Sequence, residues 1–223
     1  MRAGQRSVSV AVCGDSEASV GNRMRFFVAF LLLASQAFAG TSIYVRTVEQ
    51  TCNGNSCVKT IGHGSAVVLS RSKSGVWVAS TAKHVVEGLR PDQVFVGLEE
   101  KLTPVRSIYT LKADEDAAFI TFDYSGKLTP TESETEEIPT GEPITFGGYS
   151  HGTKYEKFGG RVLGTGVASA EACPRHGQSG GGVYRKSDGK LIGIVSGFDE
   201  QKNLIYSPVC RVQRHCHRQW GFW

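Results

Sequence analysis

The chain has little net charge, few methionines and no long hydrophobic run. Its 25 Lys and Arg residues against 21 Asp and Glu leave a formal net charge of +4 over 223 residues, which does not indicate a nucleic-acid partner. The most apolar stretch, residues 26–34, is shorter than the roughly 20 residues of a membrane-spanning helix. No internal repeat or low-complexity segment is evident. The 27 glycines and 40% apolar residues instead favour a globular, turn-rich β protein.

Residues 1–39 have the features of a leader rather than of a folded segment. Two arginines precede the apolar run, and the small residues of Ala37-Phe38-Ala39 suit a signal peptidase. We expect cleavage after Ala39, giving a secreted or periplasmic protein with no stable membrane association. A membrane tether through residues 26–39 is the alternative. Because Met24 is the only internal methionine, translation from there would make residues 1–23 an upstream extension.

The cysteines also indicate an oxidising compartment. Of the six, Cys13 lies in the leader, and Cys52 with Cys57 brackets a tight Asn-Gly turn that a disulfide would close. Three cysteines remain, Cys173, Cys210 and Cys216, so at least one thiol is unpaired or pairs between chains. A Cys173–Cys210 bridge is our expectation, although the sequence does not determine the connectivity.

Short apolar runs alternate with Gly, Asn, Asp and Ser clusters along the rest of the chain, a pattern typical of all-β proteins. The polar stretch 124–141 divides these runs into two groups and has the composition of a linker or exposed crossing loop. One helical turn is expected at residues 84–88. The predicted strands are 42–47, 64–69, 76–80, 93–98, 102–111, 117–122, 143–149, 161–168, 181–185, 191–198 and 204–210.

Three short motifs suggest a chemistry. Ser179 lies in the glycine-rich stretch 176–184, where glycine lets backbone N–H groups converge and a carbonyl approach. His84 follows the apolar run that ends at Ala82, and Asp116 directly precedes another apolar run. Histidine, aspartate and serine in this order match one of the three convergent orders of the catalytic triad.

These motifs resemble those of the chymotrypsin/trypsin-like serine proteases, most closely the compact bacterial, phage and viral members. That family has Thr-Ala-Ala-His, Asp-x-Ala-x-Leu and Gly-x-Ser-Gly-Gly at the three places, and the match covers residues 62–198. The resemblance implies an all-β fold of two six-stranded antiparallel barrels with the active site in the cleft between them. The barrels would be residues 40–123 and 142–223, joined by the linker 124–141.

The resemblance also implies roles in peptide-bond hydrolysis through an acyl-enzyme. Ser179 would be the nucleophile, His84 its general base and Asp116 the residue that orients the imidazole. The N–H groups of Gly177 and Ser179 would form the oxyanion hole. A protein or peptide substrate is expected, with no cofactor and no metal. The primary specificity pocket would be walled by Cys173, Val195, Ser196, Gly197 and Phe198, which favours a small or apolar side chain.

Several positions depart from the family pattern or compete with these roles. Asp114 and Glu115 are rivals for the acidic position, but only Asp116 adjoins the apolar run. Gln178 replaces the aspartate that pairs with a new N-terminal ammonium in pancreatic relatives, so activation by that ion pair is not expected. Lys83 replaces an alanine, and Gly182 replaces a proline.

The basic, aromatic tail 211–223 offers a different kind of site. Cys210, His215, Cys216 and His217 do not fall at a recognised zinc spacing, so we expect a terminal strand or helix packed on the second barrel.

Three functions stay open for the whole chain. The first is an exported serine endopeptidase, the second a polyprotein-processing protease of sobemovirus-like type, and the third an inactive protease-fold binding module.

Overall fold

The computed structural model describes residues 40–53, 56–98, 101–111, 115–152 and 154–213. The leader, Asp114, and the tail from residue 214 onward with Cys216, lie outside the described residues. The expectations for them stay predictions. Within the described ranges, no helix is long and apolar enough to cross a membrane.

Six antiparallel strands in the first half of the chain close into a barrel with the order β1-β2-β3-β6-β5-β4. A short helix, α1 (Lys83–Val86), follows β3. Because β3 and β6 are antiparallel neighbours, with Thr81 opposite Ala118, the residues after β3 and before β6 emerge at the same end of the barrel. The strands are β1 Ser42–Asn53, β2 Ser56–Arg71, β3 Trp77–Thr81, β4 Val94–Leu98, β5 Lys101–Thr110 and β6 Ala118–Phe122.

A second closed barrel repeats the same strand order, β7-β8-β9-β12-β11-β10. The long loop from Ala170 to Gly182 carries Ser179, and residues 209–213 after the last strand are helical. The predicted fold class, two six-stranded antiparallel barrels, is confirmed. The strands are β7 Pro143–Ser150, β8 Lys154–Gly164, β9 Val167–Ala170, β10 Gly182–Arg185, β11 Leu191–Phe198 and β12 Leu204–Pro208.

Strand β2 explains how the barrels pack together. Ala66 and Val68 point into the core of the first barrel, whereas Val67 and Leu69 join an apolar layer that also contains second-barrel residues. Successive side chains of a strand point to opposite faces, so β2 is buried on both faces at this point. The shared layer consists of Val67, Leu69, Leu111, Ala117, Phe119, Tyr184, Leu191, Ile194, Val209 and Val212. Its last two members lie in the helical residues 209–213.

The structure differs from the predicted strands in several places. Strand β8 begins at Lys154 rather than at residue 161, and residues 209–210, predicted as the end of the last strand, are helical. The β1–β2 hairpin is longer than predicted, with residues 48–53 and 56–61 paired. Most of these side chains are exposed, so they lack the apolar alternation that marks a strand in the sequence. The predicted strand 161–168 is two strands, because β8 and β9 are separated by a turn in which Gly166 has a φ of +77°.

The disulfide predictions had different outcomes. Cys52 and Cys57 form a disulfide that closes the tip of the β1–β2 hairpin, with their Cα atoms 4.0 Å apart. The predicted Cys173–Cys210 bridge is wrong, since neither of these two described residues is bonded to the other. Cys173 lies on the loop before β10, whereas Cys210 is buried in the helical turn that follows β12.

The polar segment 124–141 is fixed to both barrels by its backbone. The N–H of Thr131 donates to the Val68 carbonyl at 2.9 Å, and the N–H of Glu134 donates to the Leu191 carbonyl at 2.8 Å. Thr131 is only 5% exposed. These hydrogen bonds attach the segment to strands of both barrels, and Thr131 is buried where an exposed loop was expected. The exact domain bounds stay a prediction.

Candidate active site

His84 and Asp116 meet because the strands beside them are neighbours. His84 lies in α1 just after β3, and Asp116 lies just before β6. The backbone N–H of His84 donates to Asp116 Oδ1 at 2.9 Å, and His84 Nδ1 is 2.7 Å from Asp116 Oδ2. These two contacts fix the carboxylate and the imidazole relative to each other.

The environment of Asp116 favours its ionised form. Burial alone would raise its pKa. Hydrogen bonds from the side chain and backbone of His84, the charge of that imidazole and a hydrogen bond from Ser196 outweigh burial, so the pKa of Asp116 is lowered. An ionised carboxylate only accepts hydrogen bonds, so Nδ1 of His84 carries the proton. The Nε2 nitrogen is therefore the acceptor left on the neutral ring.

Ser179 is held at its backbone by both barrels. Its carbonyl accepts a hydrogen bond from the Ser65 N–H of β2 at 2.8 Å, and the N–H of the next residue, Gly180, donates to Val195 of β11 at 2.7 Å. The Ser179 hydroxyl donates to the Ser196 carbonyl at 3.5 Å, a length at which hydrogen bonds are weak. The backbone position is thus fixed, whereas the hydroxyl is easily redirected.

The peptide between His176 and Gly177 has a defined orientation. The His176 carbonyl accepts a hydrogen bond from the His151 N–H at 2.8 Å. In a trans peptide the C=O and N–H point in opposite directions, so the Gly177 N–H points away from His151. Gly177 has a φ of +92°, and a Cβ there would overlap the Tyr149 carbonyl oxygen. Only glycine fits this position without displacing β7.

Gln178 is fully buried and its amide is satisfied by neutral groups. Its Oε1 accepts from the Arg175 N–H at 2.9 Å, and its Nε2 donates to Ser150 Oγ at 3.2 Å. Ser65 adds a further neutral contact, because its hydroxyl donates to the Gly177 carbonyl at 2.8 Å and accepts from the Tyr149 N–H at 2.8 Å. The direct contacts of Gln178 and Ser65 are thus between uncharged groups, whereas Arg175 of the same loop forms an ion pair with Glu156.

His84 and Ser179 line the same cavity, whose volume is about 360 Å³. The sequence alone predicted no role for three other histidines that line this cavity, His63, His151 and His176. His63 and His151 lie in no motif, and His176 is only the first residue of the glycine-rich stretch around Ser179, so only the fold could bring the three together. In the described part of the chain, no three His, Cys, Asp or Glu side chains are grouped so as to hold a metal ion. The remaining lining residues are Thr47, Gly62, Val85 and Gly177.

The residues predicted for the primary pocket lie elsewhere on the Ser179 loop and on β11. Val195 is buried, and Ser196 contacts Ser207 Oγ at 3.3 Å as well as the carboxylate of Asp116. Gly197 has open space where a Cβ would be, and Phe198 is 37% exposed. None of these residues, nor the half-buried Cys173, lines the cavity shared by His84 and Ser179.

Two closed antiparallel barrels of this kind define the chymotrypsin/trypsin-like protease fold. No family profile matches the chain, and no curated protein matches its sequence; the likeness is seen among solved structures. The chain is similar to the HtrA-type protease AlgW with a decapeptide, at 19% identity and a TM-score of 0.62, over 82% of this chain and 66% of that one.

The Rv3671c protease from M. tuberculosis is similar to a comparable degree. Its active form shares 18% identity at a TM-score of 0.63, over 81% of each chain. Its inactive form shares 17% identity at a TM-score of 0.63, over 82% of this chain and 90% of that one. At these identities the likeness establishes the fold. The chain spans less than two thirds of both AlgW structures, at 66% and 64% of their lengths.

Proposed function

We propose that this chain is a serine endopeptidase in which Ser179 is the nucleophile, His84 the general base and Asp116 the residue that orients the base. The observation that carries the proposal is the double contact between His84 and Asp116 beside a cavity that Ser179 also lines. The likeness to serine proteases of the same fold supports it.

The geometry supports a separate role in the reaction for each of these groups. With Nδ1 of His84 bonded to Asp116, Nε2 is the atom available to take the Ser179 proton. Attack of the serine oxygen on a peptide carbonyl breaks its π bond and leaves negative charge on the carbonyl oxygen. The N–H groups of Gly177 and Ser179 would stabilise that charge. His84 would then donate the proton to the leaving amine, and water would hydrolyse the acyl-enzyme by the same steps.

The acyl side of the substrate would lie along Ser196, Gly197 and Phe198. The hydroxyl of Ser179 already points at the Ser196 carbonyl, and a substrate strand can pair with such an edge. The open space at Gly197 and the partly exposed Phe198 favour a small or apolar side chain. Cys173 would complete this primary pocket.

Secretion to the cell exterior or periplasm is part of the same proposal. It is supported by the Cys52–Cys57 disulfide, since disulfides persist in oxidising compartments, and by the leader in the sequence. The intact mass of the recovered protein tests it. A chain beginning at Gly40 is expected, and a mass that includes residues 26–39 would favour the membrane-tethered alternative.

A fluorophosphonate probe tests the nucleophile, because it reacts with activated serine hydroxyls. We expect the wild type to be labelled on Ser179 and to cleave a peptide library, and the Ser179→Ala variant to do neither. Ser74→Ala, in the turn between β2 and β3, is the matched control and should behave as wild type. A folded wild type that is neither labelled nor active would favour the inactive binding module, and labelling of Ser179→Ala would place the nucleophile elsewhere.

A further inference from the structure

Three histidines other than His84 face the cavity beside Ser179, and the proposed mechanism uses none of them. His63 lies on β2, His151 in the turn after β7 and His176 on the Ser179 loop. All three are exposed, so their side chains are accessible to a ligand. His151 has a φ of 48°, a left-handed conformation that few non-glycine residues adopt.

If the acyl side of the substrate lies along Ser196, Gly197 and Phe198, this cavity is on the leaving-group side of Ser179. Its lining contains none of the five residues assigned to the primary pocket, but it includes Thr47 and Gly62 at the base of the β1–β2 hairpin. The Ser65 N–H of β2 already donates to the Ser179 carbonyl. Residues 56–64 of β2 pair with β1 alone within the described residues. A peptide leaving Ser179 in this direction can therefore pair with a free strand edge beside the imidazoles.

The three imidazoles have a cationic neighbour, Arg46, and no acidic side chain in the described cavity lining. No carboxylate is present among the lining residues, all of which are described. Arg46 lies opposite His63 in the β1–β2 register, and cross-strand partners share one face of a sheet. The nearby carboxylates are already engaged, since Asp116 contacts His84 at 2.7 Å and Glu156 pairs with Arg175 at 3.6 Å.

The remaining neighbours of the imidazoles do not supply a negative charge. The Tyr44 hydroxyl is 2.5 Å from His63 Nδ1, and burial raises the pKa of Tyr44, so this phenol stays neutral near neutral pH. His151 and His176 have ring centroids 6.4 Å apart and no acidic group between them in the lining. The three imidazoles thus lack an anionic partner within the cavity.

We propose that this cavity is a subsite for a carboxylate, so that the enzyme prefers Asp or Glu one or two residues after the cleaved bond. The inference rests on the proposed function and names the substrate class for it. Histidine side chains gain positive charge as the pH falls from about 8 to 5, whereas an Asp or Glu side chain of the substrate stays ionised over that range. The preference for a carboxylate should therefore increase as the pH falls.

Matched internally quenched peptides measure this preference. Each pair is identical except for Glu or Gln at the first or second residue after the cleaved bond, and the readout is the Glu/Gln ratio of kcat/KM. The charge state of His84 affects both peptides alike, so it cancels from the ratio. An exposed charge pair changes an equilibrium by roughly one- to fivefold, so two or three imidazoles should give a ratio of about tenfold at pH 6. We expect the ratio to fall below about threefold at pH 8.

Three variants assign the effect to the histidines. His63→Gln and His176→Gln keep a polar side chain, and His151→Asn keeps a residue type that tolerates a left-handed backbone. Each should lower the pH 6 ratio, and the triple variant should bring it close to one. Lys73→Gln is the control, because it removes a positive charge in the turn after β2, at the opposite end of that strand from His63. It should leave the ratio at the wild-type value.

Different results would overturn different parts of the inference. A wild type that is labelled on Ser179 and cleaves Glu and Gln peptides equally at pH 6 refutes the subsite and leaves the protease proposal standing. If the protein is neither labelled nor active, the protease proposal fails, and histidine NMR signals during titration with the Glu and Gln peptides decide the subsite. Shifts of the His63, His151 and His176 signals by the Glu peptide alone support it, and equal or absent shifts refute it.

Discussion

Replacing Gly177 with alanine tests the role of the Ser179 loop through one added methyl group. Gly177 has a φ of +92°, and its Cβ would overlap the Tyr149 carbonyl oxygen and lie 3.0 Å from the His151 nitrogen. Both neighbours are backbone atoms of β7 or its turn, so they cannot move aside as a flexible side chain would. The peptide before Gly177 must then rotate or shift. Its N–H would leave the position from which it can stabilise an oxyanion.

The cost has two parts that can be measured separately. A non-glycine residue with a left-handed backbone costs about 1–2 kcal/mol of folding free energy. For a chain of this size that corresponds to a Tm lower by about 2–8 °C. Loss of one oxyanion donor costs a further factor of about 10²–10³ in kcat, or roughly 2.7–4 kcal/mol of transition-state stabilisation.

Gly141→Ala is the matched control. Gly141 has a φ of +89°, close to that of Gly177, but no atom lies within 4 Å of its would-be Cβ. Both variants should lose stability in thermal unfolding, while only Gly177→Ala should lose activity in a peptide assay. A Gly177→Ala protein with kcat within threefold of wild type would refute the oxyanion assignment. An equal loss in Gly141→Ala would show that backbone strain, and not the Gly177 N–H, controls activity.

Two further predictions concern carboxylates. Asp116→Asn should lower kcat/KM by about 10³–10⁴, because an amide cannot accept from both His84 donors and favours the wrong imidazole tautomer. Asp123→Asn on the surface is the control. A kcat/KM of Asp116→Asn above one tenth of the wild-type value would contradict the assignment. The Arg185 hydrogen bond lowers the pKa of Asp188 to about 2, below the value near 3.9 of an unfolded chain. The stability from this contact is therefore complete above about pH 4 and is lost as the pH falls towards 2. Asp188→Asn should flatten the fall in Tm between pH 4 and pH 2, and an unchanged slope would count against the contact.

The fold class could be predicted because the short apolar runs in the sequence coincide with the buried strands. Apolar runs in β3, β6 and β11 are almost wholly buried in the structure, so burial and strand formation coincide there. The meeting of His84 with Asp116 also follows from position along the chain, once β3 and β6 are taken as neighbours. The motif around Ser179 contains the glycines that its backbone requires, including Gly177 and Gly180, both with positive φ.

Other features depended on contacts that no local pattern records. The outer part of the β1–β2 hairpin is a strand pair with exposed side chains, so alternation did not reveal it. His63, His151 and His176 come together only because β2, the turn after β7 and the Ser179 loop converge. The role of Ser65 could not be predicted either, since its hydroxyl forms hydrogen bonds with Gly177 and Tyr149, which are distant in sequence. The predicted Cys173–Cys210 disulfide was wrong because pairing depends on where the two cysteines lie in the fold, which the local sequence does not indicate.

The contacts of Gln178 bear on how the Ser179 loop reaches a working geometry. A buried carboxylate in its place would need a cationic partner, because an unpaired buried charge costs several kcal/mol. Gln178 instead satisfies both ends of its amide with Arg175 N–H and Ser150 Oγ. The described chain near Thr41 is held elsewhere, with its N–H donating to the Thr129 carbonyl at 2.9 Å. The contacts that orient the Gly177 N–H are therefore complete in the folded barrels, and we expect them to form on folding without an ammonium group at the loop.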